Sequence, residues 1–241
     1  MNAVKVVIAI SMLLLASIAL AHDLITAELA ETYLKQAGAW HEQINSGAQR
    51  GEQAQVCLKI GEMLDEIRIL LNRDLAVHGE VQGLASAYLV AGLERVGTPL
   101  AYSPSRNYFT ANSDYYRTAL ELGLAEDLAR RARVGLLRGE FYDNFSGNLL
   151  DASLPSQQLQ EQLVLADALI GDALPEPDME EVRFIATILY ARAAKSVSGR
   201  GERAAYRDKA LALATAFERD YPDSLRAAAI PVVRSSLRVK P

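Results

Sequence analysis

Apolar residues recur at steps of three and four along almost the whole chain. No window sustains a period of two with β-branched residues. A period near 3.6 places apolar side chains on one stripe of a helix, whereas strands alternate. The sequence therefore predicts an all-α fold of antiparallel helical hairpins. Ile25, Leu29, Tyr33, Ala37, Trp40 and Ile44 form the first stripe, which Gly47 and Gly51 interrupt. Val56, Ile60, Met63, Leu64, Ile67, Leu70 and Leu71 form the second, with Glu62, Asp65, Glu66 and Arg68 read as its outward side. A third helix runs from about 80 to 96 through Val81, Leu84, Tyr88, Leu89 and Leu93 and ends before Gly97 and Pro99.

Further helices are expected at 113–122, from Glu126 to about 138, and at 156–171, 178–197 and 202–220, with a last one beginning near Ser224. Ser113 is a candidate N-cap and Gly123 a candidate left-handed stop. Pro231 is expected to kink or stop the last helix. The turn at Gly123 decides a distance. A continuous helix from 114 to 138 would hold its ends about 37 Å apart at 1.5 Å per residue. A break at Gly123 instead brings the aromatic segment 98–112 beside the second aromatic cluster at 141–145, and this hairpin is the preferred reading.

Met1 to Ala21 has the pattern of a signal peptide: Lys5, an apolar run from Val6 to Leu20, and small residues at Ala19 and Ala21. The expectation is a periplasmic protein whose first mature residue is His22. The alternative is anchorage to the inner membrane by residues 6–21. The rest divides into an N-terminal helical part (22–97), an aromatic loop (98–112) and a C-terminal helical-hairpin part (113–241), expected to pack as one domain. The single cysteine, Cys57, allows no intrachain disulfide, so stability must come from packing. A formal charge of −5 argues against general nucleic-acid binding. Arg226, Arg234, Arg238 and Lys240 make the tail locally basic, as a solvated helix face does.

Catalytic patterns are missing from the sequence. There is no H-E-x-x-H, G-x-S-x-G or S-x-x-K, and S-G-R-G at Ser198–Gly201 lacks the residues that complete a phosphate loop. The chain is therefore read as a non-enzyme without cofactor. A minor alternative is copper binding by the amine and imidazole of a mature N-terminal His22, with His41 or His78 as a third ligand. Five of the sixteen aromatics fall within fifteen residues, at Tyr102, Tyr108, Phe109, Tyr115 and Tyr116. With Arg106 and the cluster Phe141, Tyr142 and Phe145, they are the candidate partner-binding residues, because long loops carry function and aromatics and arginine dominate interface hot spots. A rival reading puts a small-molecule or catalytic pocket beneath the 98–116 loop, with Arg106, Asn107, Asp114 and Asp143 as its polar groups.

Ala210, Leu211, Ala214, Phe217, Tyr221, Pro222, Asp223 and Ser224 resemble the second helix and exit turn of a tetratricopeptide repeat of the kind found in bacterial envelope assembly proteins. Leu128, Ala132, Gly139, Glu140, Phe141 and Pro155 form a second, fainter match, with Gly-Glu-Phe at the turn between paired helices. Asn144 stands where a small residue is expected, Ala210 lies four places after Tyr206 instead of three, the turn Gly199–Glu202 is long, and no 34-residue period spans the chain. The resemblance implies a right-handed superhelix of hairpins, or failing that an irregular helical bundle. It also implies a protein or peptide partner in the cell envelope, and a role as adaptor or accessory factor in assembly, secretion or maturation.

Overall fold

The computed structural model describes residues 24–80, 83–110, 113–143, 149–151, 156–172 and 174–238. Among these the fold is all-α apart from one short hairpin. In chain order the elements are α1 (Ala27–Asn45), α2 (Arg50–His78), α3 (Leu84–Arg95), β1 (Ala101–Ser103), β2 (Tyr108–Thr110), α4 (Asp114–Leu122) and α5 (Glu126–Asp143). Then follow α6 (Ser156–Gly171), α7 (Asp178–Ser196), α8 (Arg200–Asp220), a 3-10 turn (Leu225–Ala229) and α9 (Ile230–Leu237). No described helix is long and apolar enough to cross a membrane. The segment Met1–Ala21, with its expected cleavage site, and His22 lie outside the described residues.

The chain divides after Asp143 into two compact units. The boundary is thus not the one read from the sequence, because the aromatic segment and the two helices that follow it pack on the N-terminal helices. In the first unit α2 is the central element, touching α1, α4, α5 and β2. Its length follows from a start with no proline or β-branched run and from Gly79 at its end, which takes φ 78° and offers its N–H to the Leu75 carbonyl at 2.8 Å. The apolar stripe read from the sequence is its core face: Val56, Ile60, Met63, Leu64, Ile67 and Leu71 are buried with Tyr33, Leu89 and Leu93.

Two expectations fail in the first unit. Asp65 and Arg68 are not on the outward side of α2 but buried, because α4, α5 and the hairpin cover the flank opposite α1. Helical periodicity marks one apolar face and is silent about a polar face that is also covered. The second failure is the aromatic loop itself, which contains an antiparallel ladder pairing Ala101 with Thr110, Tyr102 with Phe109 and Ser103 with Tyr108. Three-residue strands are too short to display a period of two.

Gly123, at φ 93°, does break the chain, and α4 and α5 fold back on each other. Their contact is set by Tyr116, whose ring lies between two helical glycines. A Cβ on Gly61 of α2 would come within 2.9 Å of it, and one on Gly135 of α5 within 2.3 Å. Only residues without a side chain let three helices approach a ring this closely. Ser113 precedes α4, but its hydroxyl makes no capping bond.

In the second unit α7 packs against α6, α8 and α9 and is buried on nearly every side. Ala210, Ala214 and Phe217 of α8 are its contact face, and the Phe217 ring meets Phe184 of α7 at 5.8 Å and Tyr221 at 5.1 Å. The α7–α8 break spans only 197–199, shorter than the turn read from the sequence. Pro231 neither kinks nor stops a helix. It sits in the first turn of α9, where its missing N–H has no intrahelical partner to lose. The tail's basic character is largely neutralised in place: Arg226 pairs with Glu180 at 3.0 Å and Glu181 at 3.1 Å, and Arg234 with Glu218 at 2.7 Å. The fainter repeat match does not survive in its geometry, since Gly139, Glu140 and Phe141 lie inside α5 and form no turn.

Candidate functional site

Asp65, Arg68 and Asn72 stand at i, i+3 and i+7 on α2, so they form one polar stripe, and that stripe carries the hairpin. Arg68 is only 3% exposed. Its Nε donates to Asp65 Oδ1 at 3.2 Å and its Nη1 to the Tyr108 hydroxyl at 2.8 Å, while its guanidinium lies 5.8 Å from the centre of the Tyr142 ring. The other oxygen of Asp65 accepts from the Tyr116 hydroxyl at 3.0 Å and faces Arg138 at 3.9 Å. Burial alone would lower the Arg68 guanidinium. The charges of Asp65 and Asp143, the nearby Tyr108 and the bond to Asp65 outweigh it and hold the group above its ordinary value.

One turn further on, the Asn72 amide binds β2 as a neighbouring strand would. Its Nδ2 donates to the Phe109 carbonyl at 2.8 Å, and its Oδ1 accepts from the Phe109 N–H at 2.7 Å. A free strand edge is thereby satisfied by a side chain. At the tip, Asn107 adopts φ 49°, a left-handed conformation that asparagine tolerates. Its Nδ2 donates to the Gly79 carbonyl at 2.8 Å and its Oδ1 accepts from the Tyr102 hydroxyl at 2.5 Å. Arg106 donates to the Asp143 backbone carbonyl and, at 3.2 Å, to Ser103 Oγ. The hairpin is therefore clamped to the end of α2 and to the end of α5.

This geometry sorts the candidate residues. Phe109, Tyr116 and Phe141 are core residues, which removes them from any surface contact set. Tyr108, Tyr115 and Tyr142 are half-buried, and Tyr108 and Tyr142 enclose Arg68. Tyr102 is 44% exposed, with its ring tilted on Phe109 at 5.0 Å, and Arg106 is exposed beside it. Phe145 lies outside the described residues. The two aromatic clusters do meet at one end of the α4–α5 hairpin, as the break at Gly123 predicts. Sequence reading missed Asp65, Arg68, Asn72, Gly61 and Gly135. The available signal was an Asp–Arg pair at i, i+3 beside a glycine in the middle of a long helix.

Chemically, the arrangement is a closed support. Arg68 is enclosed by its partners and is not presented to an anion from solvent. Of the four polar groups nominated for a pocket, Arg106 and Asn107 make their hydrogen bonds within the protein itself. Among the described residues no three His, Cys, Asp or Glu side chains gather where they could hold a metal. His41 packs on Gly97, and His78 contacts Asp74 at 2.9 Å. No family model, curated protein or solved structure matches the chain.

The buried phenols have a consequence at alkaline pH. Burial and the adjacent Glu66 push Tyr33 up to about 12, and burial with the Asp65 carboxylate raises Tyr116 well beyond the ordinary tyrosine range. Unfolded tyrosines ionise near pH 10. Above that pH the native state keeps protons that the unfolded state loses, so stability is complete below pH 10 and declines as the pH rises from about 10 through 12. Denaturant unfolding across this range is expected to show that decline, and Tyr116→Phe, which has no phenol to ionise there, to flatten it. A wild-type stability unchanged between pH 9 and 12 contradicts the assignment.

Proposed function

We propose that this chain is a helical-hairpin protein of the cell envelope that binds another protein or peptide, as an adaptor or accessory factor in assembly, secretion or maturation. The observation that carries the reading is the hairpin 101–110: a buried ion network and an asparagine clamp hold it in place, yet it leaves Tyr102 and Arg106 facing solvent. A preorganised aromatic and arginine pair loses little side-chain freedom on binding, and these are the residue types that dominate interface hot spots. The alanine-lined α7–α8 pair, with Phe217 seated between its helices, supports the likeness to tetratricopeptide hairpins, and the pattern of residues 1–21 supports export. Tyr102 and Arg106 are the contact residues in this proposal, with Tyr108, Tyr115 and Tyr142 as partly exposed flanks.

A photo-crosslinking residue placed at position 102, with position 35 on the exposed side of α1 as control, tests the assignment in the native envelope. A discrete adduct from position 102 that is missing at position 35 is expected. Equal labelling at the two positions, or none at either, overturns it.

A further inference from the structure

We infer, resting on the reading of the hairpin as a contact surface, that the outer edge of β1 takes an extended segment of the partner protein as a third, antiparallel strand. In an antiparallel pair, residues facing each other alternate between exchanging both backbone hydrogen bonds and exchanging none. Phe109 turns its N–H and its carbonyl to the Asn72 amide, at 2.7 and 2.8 Å, so it exchanges none with Tyr102 opposite. Tyr102 therefore directs its own N–H and carbonyl away from β2, and no hydrogen bond to either occurs among the described residues. β2 is the strand that packs on α2 and α5, whereas β1 lies outermost, with Ala101 and Tyr102 exposed. The two edges of the hairpin are thus unequal: the Asn72 side chain closes one, and no described residue closes the other.

The occupant follows from the donors and charges at this edge. A backbone donor and acceptor on one residue, held at strand geometry, are matched by the backbone of another strand. Side chains directly opposite share a face, so the partner residue facing Tyr102 continues the row that the Phe109 and Tyr102 rings begin at 5.0 Å, which selects an apolar or aromatic residue. The next position, opposite Ser103, lies on the other face beside Arg106. Arg106 donates through Nε to Ser103 Oγ and through Nη1 to the Asp143 carbonyl, which leaves Nη2 for an acidic residue, and it makes no ion pair among the described residues. A second copy of this chain fits worse. Two β1 strands paired about Tyr102 would set Pro104 of each opposite Leu100 of the other. Proline has no N–H to give, and the Pro104 carbonyl already accepts from the Asn107 N–H at 3.3 Å, so the pairing would stop at a single residue.

Two measurements test this. In the purified protein, amide hydrogen exchange read by NMR is expected to show the Tyr102 N–H exchanging at least about tenfold faster than those of Ala101 and Ser103, which pair with β2. A Tyr102 amide as protected as its neighbours means that the edge is already closed, and overturns the proposal. In the native envelope, a photo-crosslinking residue at position 101 captures the partner. Tyr102→Ala removes the ring and keeps the N–H, whereas Tyr102→Pro removes both, at an outward-facing edge position where a strand accepts proline. Continued protection of the Ser103 amide shows that the hairpin is intact in each variant. The adduct is expected to fall in Tyr102→Pro at least about fivefold below its level in Tyr102→Ala, because a carbonyl of the partner loses its donor. Arg106→Glu should lower it several-fold as well. Equal adducts from the two Tyr102 variants, or an adduct indifferent to Arg106→Glu, overturn strand addition at this edge while leaving the protein-binding reading in place. An adduct of twice the chain's mass also overturns it, with a second copy as the occupant. No adduct from position 101 or position 102 overturns both.

Discussion

Arg68→Ala is expected to cost the first unit about 3–5 kcal/mol, the range measured when one member of a buried pair is removed. The side chain has four neighbours that depend on it: the Asp65 carboxylate, the Tyr108 hydroxyl, the Tyr142 ring and, through space, Asp143. Its loss leaves Asp65 enclosed with Arg138 at 3.9 Å, too long for a hydrogen bond, and leaves Tyr108 without the Arg68 donor that helps Asn72 to fix β2 to α2. A unit of this size has a total stability of only about 5–15 kcal/mol, so most of the margin is at stake. The sole tryptophan, Trp40, packs against this core, and its fluorescence during denaturant unfolding reads the change directly. A loss below about 1 kcal/mol shows that the network is wet or redundant. Replacing both partners, Asp65→Leu with Arg68→Met, should recover much of the stability, because it is the unpaired buried charge that is expensive. The same double variant severs the Tyr108 anchor and should loosen the hairpin. Reduced crosslinking at position 102 in a protein of near-normal stability would link the buried network to the surface it supports.

Phe217→Ala should destabilise the second unit by a comparable amount, about 3–5 kcal/mol, by lost transfer energy plus the cavity left behind. The ring is fully buried between α7 and α8, against Phe184 and Tyr221, in a space that Ala210 and Ala214 create by letting the two helices approach. No neighbour on α7 is free to fill the gap, because that helix is buried on nearly all sides and its N-terminal end is pinned by the Arg183–Asp220 ion pair at 2.6 Å. Far-UV circular dichroism during thermal or denaturant unfolding follows the loss. Phe217→Leu, which keeps most of the volume, should cost less than about 1.5 kcal/mol. If Phe217→Ala is as mild as Phe217→Leu, the α7–α8 contact collapses around the cavity, and the ring is not what holds the two helices together.

The two sites differ in how visible they were beforehand. Phe217 belongs to a pattern of alanines, an aromatic and a terminating proline, each of which states its role locally, so its burial could be read directly. Arg68 belongs to no such pattern. Its charge argued for solvent, and what reverses that assignment is a hairpin forty residues further along the chain. Tyr116 is intermediate: its aromatic character marked it out, but as a surface candidate, and the glycines that make its slot are 55 residues before it and 19 after it. Pro231 departs from its expected role for a smaller reason. The rule that proline ends a helix has a counterpart at the first turn, and only the position of the preceding 3-10 turn decides which applies.

The sequence by itself determined the helical class, the approximate bounds of most helices, the turn at Gly123 and the apolar stripe of α2. These depend on side-chain spacing and on the backbone preferences of glycine and of capping residues, both local properties of the chain. Tertiary structure alone decided that Asp65 and Arg68 are internal and that residues 101–110 form a clamped hairpin. It also decided that Phe109, Tyr116 and Phe141 belong to the core while Tyr102 remains outside. Which face of an element is covered depends on partners distant in sequence, and periodicity reports only that a face is suited to burial.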